Sequence, residues 1–210
     1  MIHLVHFADP MCAWCYGFGP QLSLVMQRLA LHEPVGIELA MGGLRADHKD
    51  VMDQESKFVL LEHWKAVHEL SGLPFVTAAI DADGFVYNTE PACRAVVAVR
   101  QIDPNRALAM FHAVQNAFFG EGRNTTREDV LAFIAERCGI KRGPFLETFR
   151  APATRDATRA DFYATERVGV TGFPTLCVMR GKQLNLLSAG YATADEILAA
   201  WAALPAEASA

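Results

Sequence analysis

Phe7-Ala8-Asp9-Pro10-Met11-Cys12-Ala13-Trp14-Cys15-Tyr16 is the stretch on which the reading of this chain turns. Two cysteines separated by two residues follow a short apolar run and open a helical pattern. A cysteine at a helix start meets unpaired N–H groups and the positive end of the macrodipole, which favour thiolate over thiol. The thiolate is the reactive form. A second thiol one turn further on can attack the mixed disulfide that the first forms, and release the partner. The stretch therefore reads as a dithiol–disulfide exchange site with Cys12 and Cys15 as its catalytic pair.

Upstream, Ile2-His3-Leu4-Val5-His6-Phe7 is short and rich in β-branched and aromatic residues, the pattern of a buried strand. Asp9-Pro10 ends it, because Pro10 pushes Asp9 out of the helical region, and Asp9 then reads as a cap for the helix that follows, or else as a residue beside the thiols. Downstream, Trp14, Phe18, Leu22, Val25, Met26 and Leu29 recur at helical spacing as far as Leu31. Gly17, Gly19 and Pro20 predict a kink or break early in that helix. Val35–Met41 reads as a second strand, closed by Gly42-Gly43. Strand, helix and strand make a βαβ unit whose reactive group stands at the C-terminal end of a strand, where open α/β sheets place their chemistry.

The middle of the chain changes character. Helical patterns are expected over about Asp50–Leu70, from Thr89 as N-cap to about Arg100, and from Asp103-Pro104 to about Phe119. Another is expected from Thr125 or Thr126 to Cys138, followed by two short helices framed by Gly143-Pro144 and Ala153-Thr154, the last ending near Val168. Asp81-Ala82-Asp83-Gly84 is a turn signal. Strand character returns at Val170–Met179, turns at Arg180–Gln183 and continues over Leu184–Ser188. Thr193-Ala194-Asp195-Glu196 opens a last helix with Ile197, Leu198 and Trp201 on one face, and the Ala/Glu/Ser tail after Pro205 is expected to fray. The division this implies is a discontinuous domain over 1–46 and 169–210, interrupted by a helical insertion over 47–168.

With 210 residues, 51% hydrophobic and 20% charged, the chain can bury a sizeable core. A net charge of −5 without a dense Lys/Arg block argues against a nucleic-acid or anionic-membrane partner. No basic n-region with an apolar h-region precedes the first strand, and no apolar run approaches the ~18 residues of a membrane span, so a cytoplasmic protein is expected. Cys93, Cys138 and Cys177 stand alone, which leaves neither a disulfide framework nor the second close pair of a structural zinc site; no metal is expected, and the three are read as inert core packing.

The order βαβ, helical insertion, ββα, with CxxC after the first strand, resembles the thioredoxin fold, and the long helical insertion resembles the DsbA family. Asp9-Pro10-Met11-Cys12-Ala13-Trp14-Cys15, Thr89-Glu90-Pro91-Ala92, Ala117-Phe118-Phe119-Gly120-Glu121-Gly122 and Gly172-Phe173-Pro174-Thr175 are most similar to its cytosolic, FrnE-like branch. The resemblance implies an α/β thioredoxin fold acting as a thiol–disulfide oxidoreductase on protein or small-thiol disulfides. It implies an exposed attacking thiol at Cys12, a shielded resolving thiol at Cys15, and a cis Phe173–Pro174 peptide whose backbone pairs with an extended substrate. Trp14, between the cysteines, becomes a rim residue that meets substrate. Beyond the redox-active disulfide no cofactor is required, with glutathione a candidate redox partner. Thioredoxin-type proteins often carry a buried acid six residues before the first cysteine; this chain has His6 there. His6 is open to three roles: proton transfer, thiolate stabilisation as imidazolium, or packing. Met11, Tyr16, Phe18 and Phe173 are open to either rim or core, and Arg123 to a solvated loop charge or an anchor for a glutathione carboxylate.

Two other functions compete. Glutathione-dependent isomerases and transferases of the kappa-class and 2-hydroxychromene-2-carboxylate isomerase type share the fold and insertion but carry serine where Cys12 stands. A chaperone-like binding module would use the insertion and an apolar rim, and gives no reason for a paired dithiol.

Overall fold

The computed structural model describes residues 1–205, so the expected fraying of the tail lies outside the described residues. Strand β1, Ile2–Ala8, lies inside a four-stranded sheet of order β2-β1-β3-β4, with β2 at Val35–Met41, β3 at Thr175–Arg180 and β4 at Gln183–Ala189. β1 pairs in parallel with β2 and antiparallel with β3, and β3–β4 form a hairpin. The hairpin turns at Gly181, whose φ of +56° suits glycine.

Helix α1, Ala13–Ala30, connects β1 to β2 and continues through Pro20, so of the kink or break expected from Gly17, Gly19 and Pro20 the break does not occur. Packing overrides propensity. Phe18, Leu22 and Val25 are fully buried against Leu4, Leu176 and Val178 of the sheet. Burying each such side chain contributes roughly 1.5–3 kcal/mol, against a cost of about 3 for one interior proline. Gly17 serves a different purpose: a Cβ there would sit 2.5 Å from Val67 on α2, Gln54–Ser71. The last helix, α9 at Ala194–Ala203, buries Ile197 beside α1, with Leu198 and Trp201 half-buried next to it. It starts with a reciprocal Thr193–Glu196 capping box.

The insertion holds α2, α3 (Ala78–Asp81), α4 (Glu90–Ile102), α5 (Ala107–Gln115), α6 (Glu128–Arg137), α7 (Arg142–Arg150) and α8 (Pro152–Arg167). Several local readings are corrected. The sequence carries no signal for the single turn α3, whereas α8 runs between the expected ends and stops at Val168. The helix expected to reach Phe119 stops at Gln115 and widens into a π turn over Asn116–Gly120. That widening puts the consecutive Phe118 and Phe119 both into the core, edge to face at 4.9 Å, which a 3.6-residue period does not favour. Thr89 does not cap α4: its hydroxyl accepts from Arg45 N–H, while Asn88 Oδ1 caps Glu90 N–H. Neither Thr125 nor Thr126 caps α6; Arg127 stands at that position, and the Thr126 side chain bonds Asn124.

β2 is an edge strand, and the insertion covers its end. Met41 N–H donates to Asp161 of α8 at 3.1 Å, and its carbonyl accepts from Thr165. Arg100 of α4 forms a two-pronged pair with Asp161 at 2.9 Å and donates to Leu39 O. The unpaired edge groups are thus satisfied by side chains instead of being left for another strand.

Candidate active site

The chain leaves β1 at Ala8 and enters α1 at Ala13, with Cys12 as the N-cap in extended backbone. Its sulfur accepts from Cys15 N–H at 3.4 Å, one of the amides that a helix start leaves without a partner. On its other side the sulfur lies 3.7 Å from the carbonyl of Phe173. All five cysteines are free thiols. Cys12 is 4% exposed and Cys15 1%. Against the exposed attacking thiol implied by the resemblance, Cys12 is therefore almost covered, hemmed by the first turn of α1 and the Phe173 carbonyl. Burial pushes the Cys15 thiol well up, with the neighbouring Cys12 adding to the rise.

The Phe173–Pro174 peptide is cis. The Phe173 ring packs over Gly42 so closely that any Cβ there would fall inside ring contact. The side chain thus anchors the loop to the end of β2, and the backbone carbonyl is what faces the dithiol. A cavity of about 610 Å³ near this loop opens on the far sheet face beside Val170, Phe173, Cys177 and Leu186, and neither Cys12 nor Cys15 lines it.

Asp9 does not cap α1. It is wholly buried, with Oδ1 accepting from Met11 N–H and Oδ2 from Leu44 N–H, both at 2.8 Å. Cys93, read as inert, donates its S–H to Asp9 Oδ2 at 3.4 Å. Tyr87 sits in the same cluster and donates to Met11 O. His6 is 1% exposed between the rings of Phe18 and Phe111, and its Nδ1 has no partner. Burial lowers its pKa to about 3 despite a hydrogen bond with the Thr175 backbone, so it is a neutral imidazole at physiological pH. That removes the imidazolium role.

A family model described as a DSBA-like thioredoxin domain matches residues 3–197. The chain belongs to that family. Among solved structures, a candidate protein disulfide isomerase from Nitrosomonas europaea is 31% identical, with a TM-score of 0.87 and 96% of each chain covered. The cytosolic disulfide reductase DsbM from Pseudomonas aeruginosa is 26% identical, with a TM-score of 0.75 and 89% of each chain covered, and has also been solved with GSH. The ClpXP adapter protein SpxH of Halalkalibacterium halodurans is 24% identical over 185 residues, which span 83% of this chain but only 57% of that protein.

Within this DSBA-like chain, the residues left open by the sequence separate cleanly. Met11, Tyr16 and Phe18 are buried: Tyr16 stacks on Phe119 at 5.1 Å and meets Phe75 edge-on. Trp14 is half-buried, edge-on to Tyr191. Arg123 pairs with Glu121 at 2.7 Å and covers Phe133 in the insertion, with no contact to the dithiol. Cys177 is buried, whereas Cys138 is half-exposed at the end of α6, which corrects its assignment to the core. Among the described residues, no group of three or more His, Cys, Asp or Glu is placed to hold a metal ion. Sequence reasoning missed Tyr87 and Cys93, and the only sequence signal for them was the Thr89-Glu90-Pro91 helix start between the two.

Proposed function

We propose that the protein is a thiol–disulfide oxidoreductase that works through the Cys12–Cys15 dithiol on protein or small-thiol disulfides, with glutathione as its redox partner. The observation that carries this reading is the Cys12 sulfur at the N-cap of α1, 3.4 Å from Cys15 N–H and beside the Phe173 carbonyl. An amide donor and a helix N-terminus both face this one sulfur, the placement of a nucleophile at a helix start. Cys12 also keeps more surface than Cys15, which fits attack by the first and resolution by the second.

In the reductive direction the Cys12 thiolate attacks one sulfur of a substrate disulfide, and the other sulfur leaves as a thiolate. Cys15 then gives up its proton and attacks Cys12 Sγ; the mixed disulfide breaks, the second substrate thiolate departs, and Cys12–Cys15 is left oxidised by two electrons. Oxidation of a substrate dithiol runs the same steps backwards. The Phe173 backbone before Pro174 holds an extended substrate, and Trp14 lies at the rim. The glutathione role and a cytoplasmic site of action are supported by the description of DsbM as cytosolic and by its solution with GSH. No helix among the described residues is long and apolar enough to cross a membrane.

Equilibration of the pair against glutathione buffers of known poise tests the reading. A Cys12–Cys15 potential near about −270 mV places the protein with reductases, and one well above about −200 mV with oxidases and isomerases. Cys12→Ser abolishes exchange, and Cys15→Ser accumulates a mixed disulfide with glutathione. Turnover that survives both substitutions overturns the proposal.

A further inference from the structure

The exchange steps above leave unused a buried acid behind the dithiol. Asp9 has no exposed surface, yet donors from three segments converge on its carboxylate. Met11 N–H comes from the turn after β1, Leu44 N–H from beyond β2, and the Cys93 thiol and Thr89 hydroxyl from the start of α4. The backbone of the same residue serves the cysteines: Asp9 O accepts from Cys12 N–H at 3.0 Å, and Asp9 N–H faces the Cys15 sulfur. The other ionisable groups around it are Tyr87, which donates to Met11 O, Arg45 at 5.2 Å over the Tyr87 ring, and Glu90, held by Arg94 at 2.7 Å.

We propose that Asp9 is a positioning residue of the dithiol: its carboxylate fastens the turn that carries Cys12 and Cys15 to the helical insertion, and its charge controls from behind how readily Cys15 ionises. The inference rests on the exchange reading above. Burial pushes the Asp9 carboxyl up, and the Met11, Thr89, Leu44 and Cys93 donors pull it back toward the anion. Burial also pushes up the Cys15 thiol, and the Asp9 charge adds to that rise. Burial and the neighbouring Cys12 do most to hold Cys15 as a thiol; an ionised Asp9 makes it harder still to ionise, and a neutral one removes that last part of the rise. The Cys93 donor, supplied by the insertion, is one of the four that hold the anion.

The reaction of the reduced protein with an excess of a chromogenic aromatic disulfide separates the two steps. Cys12 attack releases one aromatic thiolate; Cys15 attack on Cys12 Sγ breaks the mixed disulfide, releases the second and forms Cys12–Cys15, while the two thiol protons go to buffer. The readout is the pH at which the second release reaches half its maximal rate. Asp9→Asn lowers that pH by about one unit, the size of one near like-charge interaction. Cys93→Ala removes a donor to the anion and lowers it by about half as much, while Cys93→Ser, which keeps an O–H donor, restores the wild-type value. Should Asp9→Asn not fold, the Cys93 pair decides alone. An Asp9→Asn profile that superimposes on wild type, or Cys93→Ser shifting as far as Cys93→Ala, overturns the assignment. A wild type that releases no second thiolate fails the exchange reading instead.

Discussion

His6 gives the structure a measurable acid sensitivity. In the unfolded chain its imidazole titrates near its ordinary value of about 6.5; in the folded chain burial among Phe18 and Phe111 lowers that to about 3, with His112 lowering it further. Between those values the unfolded state binds a proton that the folded state refuses. Stability therefore rises with pH across this window and falls as pH drops below about 6.5, by about 1.4 kcal/mol per unit. At pH 6.5 the unfolded imidazole is already half protonated, so from there to pH 4.5 the cost is about 2 kcal/mol, a sizeable part of the 5–15 kcal/mol typical of a domain. Replacing the ring by an apolar side chain in His6→Leu removes that slope. Burial also lowers His112, which contributes a slope of its own in both proteins, so the difference between them isolates His6. Urea unfolding followed by tryptophan fluorescence at pH 7.5, 6.5, 5.5 and 4.5 measures it. The expected result is a wild type that loses about 2 kcal/mol relative to His6→Leu between pH 6.5 and 4.5. Parallel stability curves would refute the reasoning, because a folded His6 that takes up its proton normally cannot produce the divergence.

Two further perturbations address the loop and the sheet edge. Gly42→Ala drives a Cβ into the Phe173 ring, and a cost of about 1–3 kcal/mol in denaturant unfolding is expected, together with slower exchange as the Phe173 carbonyl shifts from Cys12; unchanged stability would mean that the ring does not anchor the loop. Asp161→Asn breaks the two-pronged pair with Arg100 and weakens the acceptor for Met41 N–H. Both side chains keep some solvent, so the loss expected is about 1–2 kcal/mol rather than the larger penalty of a fully buried pair, and an unchanged unfolding midpoint would contradict it.

What the sequence made legible was local. The β1 pattern, the helix opened by Cys12 and the Thr193–Glu196 box each depend on residues within a few positions, and each folds as read. Asp9 shows the opposite case. From its neighbours it reads as a helix cap, but its partners Leu44 and Cys93 lie 35 and 84 residues away. Thr89 likewise gives up capping for Arg45, 44 residues distant. His6 carries a sequence signal for chemistry, a histidine six residues before a nucleophile, and burial of the ring takes from it the imidazolium role. The uninterrupted α1 belongs to the same class: its local signals for a break are outweighed by burial on the sheet and on α2.

The dithiol itself shows where the insertion enters the chemistry. Cys12 and Cys15 lie in the hydrophobic cluster that contains Trp64, Phe118 and Phe119, not in the cluster that joins α1 to β1, β3 and α9. The back of the site is held by Tyr16 on Phe119, Tyr87 on Met11 and Cys93 on Asp9, three contacts made from the insertion to the turn or first helical turn of the CxxC segment. A βαβ unit supplies a sulfur at a helix start, and these contacts close the site from behind. Close-packed interiors transmit small displacements, so changes in the insertion reach Cys12 and Cys15 without touching either sulfur. The helical insertion is in this sense a wall of the site, and variation within it is a means of adjusting the dithiol while the CxxC segment stays the same.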